Sequence, residues 1–410
     1  MAETTAQKYF AGNIEVLGYH DLNGKPAFKL AMQEVNGRWY LYLAHLWHRG
    51  WSILDVSDAT SPELVAFIPG PENTWTIQIQ VADGKMITGL ERIAPGWGGH
   101  EDQPFSEGFF IFDVSEPTKP RRIGHFQTGS TGTHRNFYDG GHLVHAAAGA
   151  PGFVGKIYRA IDISDPGNPR EAGRFSLPEQ AEGVATGGLK FSCHGPAHVE
   201  GNRAYLSYGD GGGIIIDISD LANPRMISQL LFRGITASQG IHTFLPLPRR
   251  KLALINDEAI RENGDENLNL AGIVDISNEK EPRLISLFPL PEPPAESGLK
   301  NFYEKGGRFG PHNHHHPNHQ PCLEARDDIA YLTYFNAGLR VYDIRDARSP
   351  KEIAYFVPPD PETRIGTKPT RLVGQTEDVL VDRRGCIYIS DKNLGIYILR
   401  LKSIWPYQTV

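Results

Sequence analysis

The pentapeptide LDVSD at residues 54–58 is the first of a series of similar segments that decides the fold. The pattern recurs as FDVSE (112–116), IDISD (161–165), IDISD (216–220), VDISN (274–278) and YDIRD (342–346), with a degenerate seventh copy, YILRL, at 397–401. Their central positions lie between 49 residues (113 to 162) and 68 residues (275 to 343) apart. A repeat of this length with strand-like content is typical of a propeller or a solenoid, not of separate domains.

Each copy has similar surroundings. An apolar segment precedes it, as in RAYLSYGDGGGIIIDISD (203–220), and a turn containing proline follows it, as in ATSPELVAFI (59–68). A second short apolar segment and a tight turn lie upstream of each copy. These features predict about four short antiparallel strands per copy, and four-stranded units repeated around an axis form a β-propeller. We expect an all-β, seven-bladed β-propeller that forms one domain over residues 1–410.

The N-terminal segment is expected to complete the ring. The seventh copy lacks an outer-strand segment after it, whereas NIEVLGYHDLNG (13–24) is similar to the outer-strand segments of other copies. We therefore predict that this segment pairs into the last blade. Such a pairing closes the ring and protects strand edges that would otherwise be exposed.

The six clear copies resemble the LVIVD-repeat proteins, a propeller family named after its strand motif. The resemblance covers nearly the whole chain, and it is specific for the fold. It implies little about activity, because propellers carry many unrelated functions.

The composition limits the classes of function. A formal charge of −7 provides no basic surface for phosphates, so no nucleic-acid partner is expected. No apolar run approaches the length of a membrane-spanning helix, so no membrane association is expected. The three cysteines, Cys193, Cys322 and Cys386, are far apart, and the first residues do not resemble a secretion signal. These two features predict a cytoplasmic protein.

Four segments at the start of inner strands share a small residue, a variable residue and a histidine. They are GTH, SCH, GIH and GPH, which end at His134, His194, His242 and His312. The seventh copy has GQT at this place, so the alignment puts Thr376 where the other blades have histidine. Because inner strands line the channel of a propeller, four successive blades are predicted to aim imidazoles into the channel at one level.

Four channel imidazoles suit a divalent transition metal, with iron as the first expectation and zinc or manganese next. The arrangement is similar, in geometry only, to that of the carotenoid cleavage oxygenases, which are seven-bladed propellers with four channel histidines on iron. The alternative is a structural ring, in which each histidine hydrogen-bonds a neighbouring blade.

The stretch GPHNHHHPNHQP (310–321) contains five histidines. The sequence leaves open which of His312, His314, His316 and His319 faces the channel. His198 and His316 lie four residues beyond the predicted ligands of their own blades, so on extended strands they share a face with those ligands. For both histidines this leaves three hypotheses: further metal ligands deeper in the channel, hydrogen-bond donors that support the ligands, and ordinary channel lining.

Acidic residues on the same face are candidate general bases. The candidates are Glu91, Glu101, Asp102, Asp210, Asp257, Glu258, Glu377 and Asp391. Asp210 and Glu377 are preferred, because their loops are short and their positions near the channel mouth are well defined.

These features predict a metal-dependent enzyme that acts on a small organic substrate, with oxidative cleavage as the first expectation. A metal-dependent hydrolase or lyase is the alternative, as is a non-enzymatic propeller that binds a ligand or a partner. The predicted catalytic residues are Asp210, Glu377 and His198, and the predicted metal ligands are the four aligned histidines. The sequence does not indicate an oligomeric state.

Overall fold

The computed structural model describes residues 9–232, 234–267 and 269–404. Within these ranges, seven four-stranded antiparallel sheets follow one another along the chain, together with one two-stranded ribbon. The seven sheets are the blades of a β-propeller, which confirms the fold expected from the seven repeats. The helical content consists of three short 3-10 turns, at Pro178–Gln180, Pro248–Arg250 and Ala295–Ser297. No helix of the described part is long and apolar enough to cross a membrane.

The strands of the first three blades run in chain order from the channel outward. Two strands precede the first blade, β1 (Phe10–Gly12) and β2 (Ile14–His20). Blade one contains β3 (Ala27–Val35), β4 (Arg38–His45), β5 (Gly50–Asp55) and β6 (Glu63–Pro69). In blade two, β7 (Thr74–Trp75) and β10 (Glu91–Arg92) form the ribbon, and the sheet contains β8 (Ile79–Ala82), β9 (Lys85–Thr88), β11 (Phe109–Asp113) and β12 (Arg121–Phe126). Blade three contains β13 (Thr133–Phe137), β14 (Leu143–Ala148), β15 (Ile157–Asp162) and β16 (Arg170–Phe175).

The remaining blades continue the same order. Blade four contains β17 (His198–Glu200), β18 (Arg203–Ser207), β19 (Gly213–Asp217) and β20 (Arg225–Leu230). Blade five contains β21 (Ile241–Leu247), β22 (Leu252–Asp257), β23 (Ala271–Asp275) and β24 (Arg283–Leu287). Blade six contains β25 (Ile329–Thr333), β26 (Leu339–Asp343) and β27 (Lys351–Val357), and blade seven contains β28 (Thr376–Val381), β29 (Ile387–Asp391) and β30 (Gly395–Leu401).

The N-terminal strands complete the last two blades. Strand β2 pairs with β30, with Ile14 opposite Leu401 and His20 opposite Ile396. The prediction that the segment after residue 13 closes the ring is therefore confirmed. Strand β1 pairs with β27 of blade six, which the sequence did not predict. The N-terminal segment thus joins two neighbouring blades.

The repeated Asp-x-Ser sequence has a local structural reason. At the end of β5, the Asp55 side chain accepts a hydrogen bond from the Ser57 backbone N–H at 2.9 Å, which forms an Asx turn. Between them, buried Val56 donates its N–H to the Trp39 carbonyl. The aspartate contact recurs in the next five blades, at Asp113, Asp162, Asp217, Asp275 and Asp343. Six of the seven repeats therefore end their third strand with the same turn, and this turn makes those blades visible in the sequence.

Apolar side chains fill the space between neighbouring blades. In the cluster between blades one and seven, Leu41 and Leu54 pack with Tyr388 and Ile398, all of them fully buried. Burial of one such aliphatic side chain stabilises the fold by about 1.5–3 kcal/mol. Because each blade packs mainly on its two neighbours, the polar side chains of the inner strands are left to line the channel.

Candidate metal centre

A β-bulge in the inner strand aims one side chain of a blade into the channel. In β13, Thr133 lies opposite Ala148 and Arg135 lies opposite Ala147, so His134 is the extra residue. The inner strands of blades five and seven carry the same irregularity, and their extra residues are His242 and Glu377. Bulges reorient side chains in this way and are frequent next to active sites. The alignment that put Thr376 at this place is wrong by one residue, because the bulge register assigns it to Glu377.

The structure brings the four predicted ligands together. Their rings form one buried row, in which the centroid distances are 4.5 Å from His134 to His194, 5.1 Å from His194 to His242 and 4.8 Å from His242 to His312. His242 and His312 are fully buried, and the other two are 7 % exposed. The outer end of the row, at His134 and His194, is therefore the end that solvent can reach.

The first histidine of the row is oriented by a buried carboxylate. The Nδ1–H of His134 donates to Glu91 Oε2 at 2.6 Å, while Lys156 forms an ion pair with the other oxygen of Glu91 at 2.9 Å. Burial opposes ionisation of Glu91, but its contacts with His134 and Lys156 hold its pKa at about 2. The Nε2 atom of His134 is buried and has no hydrogen-bond partner. His134 therefore presents an unused lone pair, the state that a metal ligand requires.

His242 and His312 have the same tautomer as His134. The Nδ1–H of His242 donates to Thr243 Oγ1 at 2.9 Å, and that of His312 donates to the Glu377 carbonyl at 2.7 Å. Their Nε2 atoms accept hydrogen bonds from Nη2 of Arg135, at 2.8 Å and 3.3 Å. Both rings are thus held from the outside through Nδ1, with the Nε2 lone pair directed into the channel.

Glu258 lies where the Nε2 atoms of the row approach one another. Its Oε2 accepts the Nε2–H of His194 at 2.8 Å and lies 3.8 Å from His242 Nε2, and its Oε1 lies 3.6 Å from His312 Nε2. The same carboxylate forms an ion pair with Arg308. The ligand atoms of His194, His242 and Glu258 all lie within 4.8 Å of one another, so this group could hold a metal ion.

Burial keeps the row neutral. It lowers the pKa of His134 to about 3 and lowers the pKa of His194, His242 and His312 as well. Neutral imidazole is the form that binds metals. Burial alone would raise the pKa of Glu258, but the charge of Arg308 holds it well below its usual value. The centre therefore combines neutral nitrogen donors with one ionised carboxylate.

The predicted catalytic residues lie at three different places. Glu377 is fully buried beside the row, and its carboxylate forms an ion pair with Lys392 at 2.6 Å. Asp210 accepts a hydrogen bond from the Lys190 backbone N–H at 2.7 Å and so ties two loops together. His198 lies further along the channel than the row, toward the end that is away from the loops.

The histidine-rich stretch runs along the channel, and only its first histidine belongs to the row. His316 packs against His198, with 4.7 Å between the ring centroids, and both line a small cavity together with His314. His315 contacts the Glu324 carbonyl, and His319 forms an ion pair with Glu200 at 3.3 Å. Of the four candidates, His312 therefore lies with the other predicted ligands, while His314 and His316 line the cavity further along the channel.

Two aromatic side chains form walls beside the row. Phe335 stacks on His312 at a centroid distance of 4.8 Å, and the ring of Phe28 meets His312 edge-on at 5.7 Å. At the rim, Trp97 lies 5.1 Å from Nζ of Lys392. The loop that carries Trp97 therefore reaches the ion pair next to the row.

Two functional candidates were underrated or missed by the sequence argument. Glu258 was one of several loop acids, and nothing in its local sequence distinguishes it from Asp257. Arg135 follows a predicted ligand, but its long side chain contacts histidines from two other blades. These contacts depend on the closed ring of blades, so no pattern in the sequence around residue 135 predicts them.

Known proteins similar to this chain include a repeat family and two solved structures. A family model described as LVIVD repeat matches residues 36–67, 159–176 and 197–231, which lie in blades one, three and four. No curated protein matches the chain. The computationally designed Ika8 protein is similar over 93 % of this chain and 98 % of its own, with 9 % identity and a TM-score of 0.48. BamB from Moraxella catarrhalis is similar over 90 % of this chain and 81 % of its own, with 10 % identity and a TM-score of 0.44.

Proposed function

We propose that this chain, a propeller that carries LVIVD repeats, is a metalloenzyme that acts on a small organic substrate in its channel. The ligands in this proposal are Nε2 atoms of His134, His194, His242 and His312. The observation that carries it is the arrangement of ring nitrogens. The Nε2 atoms of three members of the row lie within 4 Å of Glu258, and the Nε2 atom of His134 has no partner.

The outer contacts of the row support this proposal. Metal-binding histidines usually donate their second N–H to a carboxylate, a carbonyl or another acceptor, which fixes the ring and the tautomer. His134, His242 and His312 have such contacts, to a carboxylate, a hydroxyl and a carbonyl respectively. His194 differs, because Gln239 contacts its Nδ1 at 3.0 Å and its Nε2–H points at Glu258. Metal binding at His194 through Nε2 requires that proton to leave.

Arg135 is the feature that a metal has to displace. Its Nη2 donates hydrogen bonds to the Nε2 atoms of His242 and His312. A bound metal would use the same lone pairs. The guanidinium therefore has to withdraw from these nitrogens when the metal binds. His134, whose Nε2 lone pair is unused, requires no such displacement.

Iron is the metal that we propose first, with zinc and manganese next, because imidazole and carboxylate donors suit all three. When bound, such a metal supplies Lewis-acid chemistry and, for iron, electron transfer to or from a substrate. We propose oxidative cleavage of the substrate as the reaction, with dioxygen as the oxidant and second substrate.

Within the chain, Glu258 is the proposed proton acceptor. It is ionised and accepts the Nε2–H of His194, so it is placed to take up a proton at Oε2. Glu258 thereby joins Asp210 and Glu377, the carboxylates expected from the sequence, as a candidate for this role.

Metal content is the direct test. The protein is purified without chelators, and its metals are measured by mass spectrometry and related to protein concentration. We expect about one iron, zinc or manganese per chain, and loss of this metal in His242→Ala. His145→Ala is the matched control, because His145 is equally buried but contacts Tyr158 outside the row. Less than a tenth of an equivalent in wild type, with no uptake on addition of Fe²⁺, Zn²⁺ or Mn²⁺, would refute the proposal.

The identity of the metal separates the reaction classes. Iron together with oxygen consumption during turnover supports oxidative cleavage. Zinc with turnover under anaerobic conditions supports the hydrolase or lyase alternative. A folded protein that binds no metal is instead a propeller scaffold.

A further inference from the structure

Arg135 is a buried cation beside the row that makes no close ion pair among the described residues. Four carboxylate–cation pairs surround the channel, Glu91 with Lys156, Glu258 with Arg308, Glu377 with Lys392 and Asp378 with Lys29. Arg135 is 1 % exposed and lies among these groups. Among the described residues, no carboxylate lies within ion-pair distance of its guanidinium. Carboxylates further away, above all Glu258 and Asp378, favour its charged form, but none of them is a direct partner of the guanidinium.

The guanidinium also has unused donors. Its Nη2 contacts the two imidazole nitrogens described above, while Nε and Nη1 are buried and have no hydrogen-bond partner. These two nitrogens carry three N–H groups. Buried donors without acceptors destabilise a fold, and an unpaired buried charge does so more strongly. Arginine keeps its charge in such surroundings, so the missing acceptor has to come from a bound molecule.

We propose that the substrate is a small organic carboxylate and that Arg135 binds its carboxylate group. This inference rests on the proposed function only for the place of binding, which is beside the row of histidines. A guanidinium matches a carboxylate in both shape and charge. A divalent cation on neutral imidazoles would add two more positive charges, which increases the need for an anion.

The apolar side chains beside Arg135 suit the organic part of such a molecule. The ring of Phe28 lies 5.9 Å from the Arg135 guanidinium and the ring of Phe335 stacks on His312, so apolar surface borders the charged group. The cavity beyond the row is small, with room for about one water molecule. The substrate therefore enters from the loop face, where His134 and His194 are partly exposed.

Carboxylate binding tests the proposal without knowledge of the natural substrate. Acetate, pyruvate and benzoate are titrated into wild-type protein by calorimetry in buffer free of other organic acids, sulfate and phosphate. Acetamide and benzamide serve as neutral counterparts. We expect at least one carboxylate to bind and its amide not to bind. In Arg135→Gln the affinity falls by about tenfold or more, because hydrogen bonds to charged groups are among the stronger ones.

Three variants make the result interpretable. Arg135→Lys keeps the charge and is expected to retain part of the binding. Arg340→Gln is the matched control, because Arg340 is also fully buried but pairs with Glu352 outside the channel. Circular dichroism and thermal unfolding establish that each variant is folded, and if Arg135→Gln does not fold, the comparison rests on Arg135→Lys.

Metal content is measured on the same samples, so the two proposals fail separately. Carboxylate binding without metal refutes the metalloenzyme and leaves this inference standing. Metal binding with no affinity for any of the three carboxylates overturns this inference. Equal carboxylate affinity in wild type, Arg135→Gln and Arg135→Lys overturns it as well.

Discussion

Replacement of Glu91 by glutamine tests whether the outer carboxylate supports the row. The folded-state pKa of Glu91 is about 2, against 4.5 for an unperturbed glutamate. This difference of about 2.5 units corresponds to about 3 kcal/mol of folding stability at neutral pH. Glutamine keeps the shape and can still accept the Nδ1–H of His134, but it leaves Lys156 without its ion-pair partner. We therefore expect Glu91→Gln to lower the free energy of unfolding of the metal-free protein by about 3 kcal/mol.

The same substitution weakens metal binding. Loss of an outer partner of a metal-bound histidine typically reduces metal affinity about 10- to 100-fold. Urea unfolding of the chelator-treated protein, followed by tryptophan fluorescence, measures the first effect. Competition with a metal-binding dye measures the second.

The control and the pH dependence sharpen this test. Glu72 pairs with Arg49, but its side chain is 84 % exposed, so Glu72→Gln is expected to cost about 0–1 kcal/mol. The pKa of Glu91 is lowered in the folded state, so its contribution is complete above pH 4.5 and is lost as the pH falls toward 2. The difference between wild type and Glu91→Gln should close over this range. A loss at pH 7 no larger than that of Glu72→Gln would refute the reasoning.

Three further predictions follow from buried groups, from a close contact and from the metal. Burial lowers the pKa of His145 to about 4. The folded state therefore favours the neutral form of His145, and the stability of the protein falls as the pH drops from 6.5 toward 4. The urea midpoint of His145→Gln should fall less over this pH range than that of wild type. A Cβ at Gly18 in the closing strand would lie 2.3 Å from the Ala59 carbonyl oxygen, so Gly18→Ala should lower the melting temperature by several degrees. Gly167→Ala should not, because a Cβ there would make only an ordinary contact of 3.4 Å with Asp165 Oδ1. Equal melting temperatures of the two variants would contradict this role of Gly18. Removal of bound metal by a chelator should lower the melting temperature of wild type, and addition of the metal should restore it. The melting temperature of His242→Ala should change in neither step.

The fold could be predicted because its signal is local. The aspartate at the end of the third strand and the N–H two residues later form one turn within a few residues, so the pattern survives in each blade regardless of its loops. The ring closure could be predicted for the same reason, since one blade lacked a fourth strand and one N-terminal segment resembled it. The pairing of β1 with blade six could not be predicted, because residues 10–12 are too short to carry a pattern.

The candidate site could be predicted only in part. The common position of His134, His194, His242 and His312 was visible because the blades repeat. The bulge moves the channel-facing position of the seventh blade by one residue. This change depends on hydrogen bonding between strands, so the spacing of residues in the sequence does not show it.

The sequence by itself determined the number of blades, the closing strand and the level at which four imidazoles lie, since each depends on contacts within one repeat. Only the tertiary structure decided that Glu258 faces the Nε2 atoms, that Glu377 takes the place of a histidine, and that Arg135 remains without a carboxylate partner. The physical reason is that these groups meet across the channel. Arg135 comes from blade three and contacts histidines from blades five and six, more than 100 residues away in the chain. Such contacts depend on the closure of the whole ring, and no local pattern records them.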